Sequence, residues 1–440
     1  MRFMFDAEKM LTTFANKAML LPAAPTRQAR DLARRTFSVA IVSDRGSTQT
    51  AARSSTSSAS SSLSSSFHQL PPLDTAPLVN FLSFPSLTLA PALPAQSPLQ
   101  VGQRLVVIGD VHGDYQALQQ MLRLAGVVGD NDNDHDEWKG GDTIVVQCGD
   151  MMDRGGQELA CWALLCRLSH QAAAAGGAVS VLWGNHEVLN ATGLFHYTTG
   201  PHEFERLLGK PLDLHTPMRH AWRRQFAGNQ PVRWAACEPG GLLAQSLLSQ
   251  LSVALVVGRT LCVHAGLTVR HLGDVQDGGN LATLNHEARE WITTVHHQHN
   301  FNTLSHKVPP DHVMALANAR AQAAAKALPA CLGGRGTEAR SPVWLRDYSS
   351  PPGALDAAVT DELHATLDRV AAQRIVMGHT PQSQINATAA GKAWRVDIAA
   401  SQGMGGGTPE VLEIVHGETE DELYILTRQG RIPANERIVG

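Results

Sequence analysis

No CxxC pair stands among the six cysteines, at 148, 161, 166, 237, 262 and 331, so neither a disulfide framework nor a zinc knuckle follows from their spacing. No stretch is long and apolar enough to cross a membrane, and no secretory hydrophobic region stands clear near the start. An excess of one charge is also missing: a net charge of −4 and a pI near 6.6 give no sign of a nucleic-acid surface. The glycine run Gly403 to Gly407 has no P-loop lysine after it and reads as a mobile turn. Asp130, Asp132 and Asp134 alternate as in a calcium loop, but His135 stands where that loop needs glycine and Gly141 where it needs glutamate. That stretch reads as a solvated loop, and the patch His296, His297 and His299 as an exposed helix end or loop.

What is present falls into two parts. Residues 1–100 carry Arg27, Arg30, Arg34, Arg35, Arg45 and Arg53 with few acids, then a nearly unbroken serine tract from Ser54 to Ser66 and a proline-rich connection from Pro71 to Pro98. Such a leader reads as an organelle transit peptide, or otherwise as a plain disordered tail. Residues 101–440 suffice for one catalytic domain with a sizeable core.

Within that domain five signatures occur in order: GDVHG at Gly109, GDMMDRG at Gly149, GNHE at Gly184, HAG at His264 and GHT at Gly378. Each follows a short apolar or β-branched run, namely Leu105 to Ile108, Thr143 to Val146, Val179 to Trp183, Thr260 to Val263 and Arg374 to Met377. These runs predict buried strands, and loops just past strand ends are where open α/β sheets build their sites. Two metal ions close together need a bridging carboxylate, and Asp150 is the candidate. Asp110 and His112 would complete the first ion's protein ligands with Asp150, while Asn185, His264 and His379 would complete the second. Carboxylate, amide and imidazole without thiolate suit catalytic manganese, iron or zinc rather than calcium.

These motifs resemble those of the calcineurin-like metallophosphoesterases, and within them the phosphoprotein phosphatases. GNHEVLN at Gly184, DRGGQE at Asp153, HAGL at His264 and GHTPQ at Gly378 are most similar to the Shewanella-like protein phosphatases. The resemblance implies an α/β fold with a two-sheet sandwich flanked by helices, two divalent ions, and hydrolysis of phosphomonoesters by direct attack of a metal-bridging hydroxide. The substrate would be a phosphoprotein. His186 would protonate the leaving group, Asp153 would hydrogen-bond that histidine, and Arg154 would clamp phosphate oxygens beside Asn185. Arg346, in PVWLRDY, is the candidate second arginine, although stacking on Trp344 or Tyr348 is its other reading. Glu187 reads as a loop support, Asp397 as a match to an aspartate near the last motif, and Cys148 and Cys262 as packed core thiols, with oxidation of Cys148 a route to redox sensitivity. Trp222, Arg223 and Arg224 are candidates for a cap over the site. Plastid members of the branch suggest a chloroplast address, with mitochondrion or cytoplasm as alternatives. A diadenosine tetraphosphate hydrolase shares HAG and GHT, but such enzymes usually lack the counterpart of Asp153 and carry GNHD. A regulatory protein that kept the fold without the chemistry is the other alternative.

Overall fold

The computed structural model describes residues 87–130, 136–199, 203–204, 231–273, 280–295, 310–349 and 353–439. Among the described residues, twelve strands form two six-stranded sheets. In chain order they are β1 (Gln96–Ser97), β2 (Arg104–Ile108), β3 (Ile144–Gln147), β4 (Ala178–Val181), β5 (Ala254–Val257), β6 (Thr260–Val263), β7 (Arg374–Met377), β8 (Asn386–Thr388), β9 (Ala393–Arg395), β10 (Val411–Val415), β11 (Glu422–Thr427) and β12 (Gly430–Pro433). One sheet runs β1-β5-β6-β7-β9-β8 and the other β12-β11-β10-β2-β3-β4. The helices are α1 (Tyr115–Leu124), α2 (Glu158–Ala174), α3 (Asn185–Ala191), α4 (Pro231–Cys237), α5 (Leu242–Ser246), α6 (Leu281–Thr293), α7 (Pro310–Ala327) and α8 (Ala357–Arg369).

All five expected strands form, and the architecture is the expected pair of sheets flanked by helices. Nearly every residue of β2, β3 and β4 is buried, which is why β2 and β3 read as Val- and Ile-rich runs instead of alternating patterns. The parallel pairing of β2 with β3 and of β3 with β4 requires crossovers, and α1 and α2 supply them. Asp114 caps α1 by accepting the Ala117 N–H, and Ala117, Leu118, Met121 and Leu122 then line one buried face. A single apolar core holds residues from both sheets together with Trp162, Trp183 and Trp234.

Two features correct or extend the sequence reading. Part of the proline-rich connection from Pro71 to Pro98 is packed into the fold. Leu87, Leu89 and Ala90 are buried, the Ala90 N–H donates to Ser169 Oγ, and β1 pairs in parallel with β5. Proline stops helices and removes N–H donors, yet it is tolerated in and beside an edge strand, so a composition that resembles a linker can still be part of a sheet. All six cysteines are free and buried, and burial pushes the Cys262 thiol up to about 12 and the Cys148 thiol well above its ordinary range. Both are packed core thiols, and burial disfavours their thiolate forms. Trp222, Arg223, Arg224, Asp132, Asp134, His296, His297 and His299 lie outside the described residues.

The sheets are also tied by an ion cluster. Asp421, just before β11, accepts hydrogen bonds from Arg259 Nη2 at 2.6 Å and from Arg374 Nη1, while His416 Nδ1 lies 2.9 Å away. Burial opposes its charged form, but the two guanidinium groups outweigh that and hold its carboxyl down to about 2. Arg259 and Arg374 stand where the chain enters β6 and β7, whereas the GHT and HAG residues follow the ends where it leaves them.

Candidate metal centre

Every expected ligand follows the C-terminal end of a strand. Asp110 and His112 come after β2, Asp150 after β3, Asn185 after β4, His264 after β6 and His379 after β7. The loops are tight enough that His112, Asp150, Asp153, Arg154 and His379 adopt positive φ, and these are five of the ten non-glycine residues that do so among those described. Backbone held in this sparsely populated region concentrates at functional sites, where surrounding contacts over-determine it.

The contacts here are specific. Glu187 accepts four backbone N–H groups: those of Asp150 and Gly184 on Oε2, at 2.8 and 3.0 Å, and those of Met151 and Met152 on Oε1, at 2.8 and 3.1 Å. It thus supports the Asp150 loop, as its sequence position suggests. A Cβ at Gly184 would collide with the backbone nitrogen and carboxylate of Asp150, so the close approach demands glycine.

Asp150 is common to two groups of donors. One joins it to His112 and His186, the other to His264 and His379, with ligand atoms in each group within 4.8 Å of one another. His112 Nδ1 donates to the Met152 carbonyl at 2.9 Å, and His264 Nδ1 to the Cys148 carbonyl at 2.6 Å. Each Nε2 is then a bare lone pair. That of His264 faces Asn185 Oδ1 at 3.0 Å and Asp150 Oδ1 at 3.5 Å, and that of His112 faces Asp150 Oδ2 at 3.7 Å. His379 Nδ1 lies 2.8 Å from the same Asn185 oxygen. Lone pairs converging without a shared hydrogen repel each other unless a cation stands among them, so this donor set fits divalent ions. Burial lowers the pKa of His112, to about 4, and those of His264 and His379, which keeps their imidazoles neutral as metal ligation requires.

Asp110 stands outside both tight groups. Its two oxygens meet the His379 N–H at 3.2 and 3.1 Å, and burial, Asp397 and Asp150 all push its carboxyl up. Asp397 is buried beside it, with Oδ1 accepting the Ala399 N–H at 2.9 Å. Several carboxyl groups sharing one buried space call for cationic compensation, which bound metal would provide.

Next to this centre, His186 Nδ1 and Asp153 Oδ2 are 2.6 Å apart, and His186 Nε2 reaches within 3.9 Å of Asp150 Oδ2. Burial disfavours the charged imidazole, but Asp150 and the Asp153 hydrogen bond outweigh it and raise the pKa of His186. Arg154 extends Nη2 to 3.3 Å from His186 Nε2, contacts Met404 Sδ and lies over the Tyr197 ring. Gly403 and Met404 of the glycine run thus pack directly on the Arg154 loop. Arg346 is exposed, donates to Thr380 Oγ1 at 2.9 Å beside His379, and interacts with the Asp150, Asp110 and Asp397 carboxylates. Among the described residues it stacks on neither Trp344 nor Tyr348. Sequence reasoning missed Asn190, Glu158 and Arg233, which gather behind Asp153. Asn190 sits one helical turn after His186 and was discoverable from that spacing, whereas Arg233 belongs to no motif.

The sequence profile of the calcineurin-like phosphoesterases matches residues 103–328, which include the first four signatures. Among curated proteins, Shewanella-like protein phosphatase 2 of Arabidopsis thaliana is 33% identical over 343 residues, covering 72% of this chain and 77% of that protein. Shewanella-like protein phosphatase 1 of Plasmodium berghei is 37% identical over 102 residues, covering 23% of this chain and 27% of that one. The crystal structure of a cold-active protein-tyrosine phosphatase from a psychrophilic Shewanella species shares the fold, with a TM-score of 0.52 at 20% identity over 78% of this chain and 83% of that one. With this profile match over the motif-bearing half and this relative along most of its length, the chain belongs to the calcineurin-like phosphoesterase family.

Proposed function

We propose that this chain is a metal-dependent phosphoprotein phosphatase that hydrolyses phosphomonoesters in one in-line displacement. The observation that carries the reading is the sharing of Asp150 between two donor groups, with the His186 and Asp153 pair alongside. Two divalent ions held there by Asp110, His112, Asp150, Asn185, His264 and His379 would supply Lewis acidity and a water deprotonated near neutral pH. Manganese, iron and zinc all suit these ligands.

The chain's own residues account for the rest. Asp153 fixes the Nδ1–H tautomer of His186, which directs Nε2 towards the leaving oxygen. A neutral Nε2 can accept from Arg154, whereas a protonated one cannot. Charging His186 therefore frees Arg154 to grip phosphate, so proton donor and anion clamp are armed together. Arg346, on the other side of the centre, is the second proposed clamp. Asp153 and Glu187 weigh against the dinucleotide hydrolase reading, because both have defined work in this site.

The test is hydrolysis of a phosphotyrosine peptide, a phosphothreonine peptide and diadenosine tetraphosphate, with manganese and with chelator. Metal-dependent release from a peptide, lost in Asp150→Asn and His186→Asn, is expected. Turnover of the dinucleotide alone, or of nothing, would sink the proposal. We also propose that the leader is a chloroplast address; residues 1–100 fused to a fluorescent protein should enter plastids, and cytoplasmic retention would refute this.

A further inference from the structure

We infer that Arg233 is a positioning residue for proton transfer, acting on His186 through Asp153; the inference rests on the phosphatase reading. Arg233 is only 3% exposed, although arginine is seldom buried, and its charge is spent entirely on the residues behind the proposed acid. Nη1 donates to Glu158 Oε2 at 2.5 Å and Nη2 to Glu158 Oε1 at 2.7 Å. Nε donates to Asn190 Oδ1 at 2.5 Å, and Nη2 also reaches Asp153 Oδ1 at 3.2 Å. The Phe204 ring lies 4.6 Å from the guanidinium carbon and the Phe195 ring 5.7 Å away, so aromatic faces pack against the cation.

The three residues it holds converge on one carboxylate. Asn190 Nδ2 donates to Asp153 Oδ1 at 3.0 Å and to the His186 carbonyl at 2.8 Å. Glu158 accepts the backbone N–H of Asp153. Asp153 Oδ1 therefore has two donors, Arg233 and Asn190, and Oδ2 is left to His186. A carboxylate free to rotate about its last torsion has a broad energy well, whereas here both oxygens are assigned. Arg233 also balances two buried carboxylates, Asp153 and Glu158, which would otherwise repel each other. A planar guanidinium can serve all three partners at once, and a lysine ammonium cannot.

A loosened Asp153 would aim His186 Nε2 poorly, and the consequence depends on how much the substrate needs a proton. Aryl phosphates with acidic leaving phenols depart without one, whereas phenyl and alkyl phosphates do not. In Arg233→Gln, kcat for 4-nitrophenyl phosphate should fall only a few-fold, while kcat for phenyl phosphate falls on the order of 10²-fold, within the range general acids supply. KM should hold for both. His186→Asn should show the same steepened dependence, and the double variant should lose nothing more. Arg233→Lys keeps the buried charge and guards against misfolding; it should show the same pattern more weakly. In the metal-free protein, the far-downfield proton resonance of the His186 to Asp153 hydrogen bond, assigned by its loss in His186→Asn, should shift or broaden in Arg233→Lys. A uniform fall for all substrates, or a wild-type resonance in Arg233→Lys, would overturn the inference. Absence of turnover by the wild type with an intact, Arg233-dependent resonance would instead overturn the phosphatase reading alone.

Discussion

Replacing Glu187 by glutamine changes one atom and should weaken the whole metal centre. Each carboxylate oxygen of Glu187 serves two backbone N–H groups of the Asp150 loop and its neighbour Gly184. Whichever way a glutamine amide lies, its NH₂ replaces an oxygen that serves two donors, so two buried N–H groups always lose their acceptor. An unsatisfied buried donor costs about 1–3 kcal/mol, which gives a destabilisation of about 2–6 kcal/mol. At about 2 °C per kcal/mol for a large domain, the melting temperature should drop by roughly 4–12 °C. The assay is calorimetric unfolding of metal-free Glu187→Gln beside wild type, followed by titration with zinc. Zinc affinity should fall as well, because these N–H groups position Asp150, the proposed bridging ligand. A melting temperature within about 1 °C of wild type would refute the reasoning, since no rearrangement of one amide can serve four donors.

Gly184→Ala should abolish metal binding or folding, because its Cβ would occupy the place of Asp150; isothermal titration with zinc checks this. Asp153→Asn should lower kcat by roughly 10²- to 10⁴-fold on substrates with poor leaving groups, as measured by steady-state kinetics. Asp421 is held below its unfolded pKa, so its contribution is complete above about pH 4 and fades as pH falls from there towards about 2. Asp421→Asn should accordingly lower the melting temperature at pH 7 and flatten the stability profile in that window. Chelation should abolish phosphatase activity and lower the melting temperature, and each ion restored at 100 times its Kd should recover about 2.7 kcal/mol of stability.

The strands that present the site were legible because burial on both faces leaves uninterrupted apolar runs, and because each ends in a glycine-bearing motif. The proposed ligands were named from a different signal: Asp110, His112, Asp150, Asn185, His264 and His379 occur in short motifs just past those strands, in patterns whose residue types and spacing suit metal chemistry. The strand Gln96–Ser97 was hidden by flanking prolines, since composition cannot distinguish a linker from an edge strand that takes its hydrogen bonds from β5. The strands β8 to β12 were not read: β8 and β9 have only three residues each, and β11 and β12 mix exposed and buried residues without clean alternation. Arg233 was illegible on principle. Its role depends on Glu158, Asn190 and Asp153 lying 75, 43 and 80 residues away in sequence, and no local pattern records such a meeting.

The cluster around Asp421 also bears on how the molecule is assembled. Arg259 lies 162 residues before Asp421 and Arg374 lies 47 before it, so the cluster closes only when three separate stretches of chain have met. Long loops must be closed before such contacts return any free energy, which makes them late events in folding and slow ones. A late contact contributes little to the folding barrier and much to the unfolding barrier. The knot at the entering ends of β6 and β7 therefore acts as a latch on the lifetime of the native state, while the catalytic loops at the leaving ends remain free to carry backbone strain.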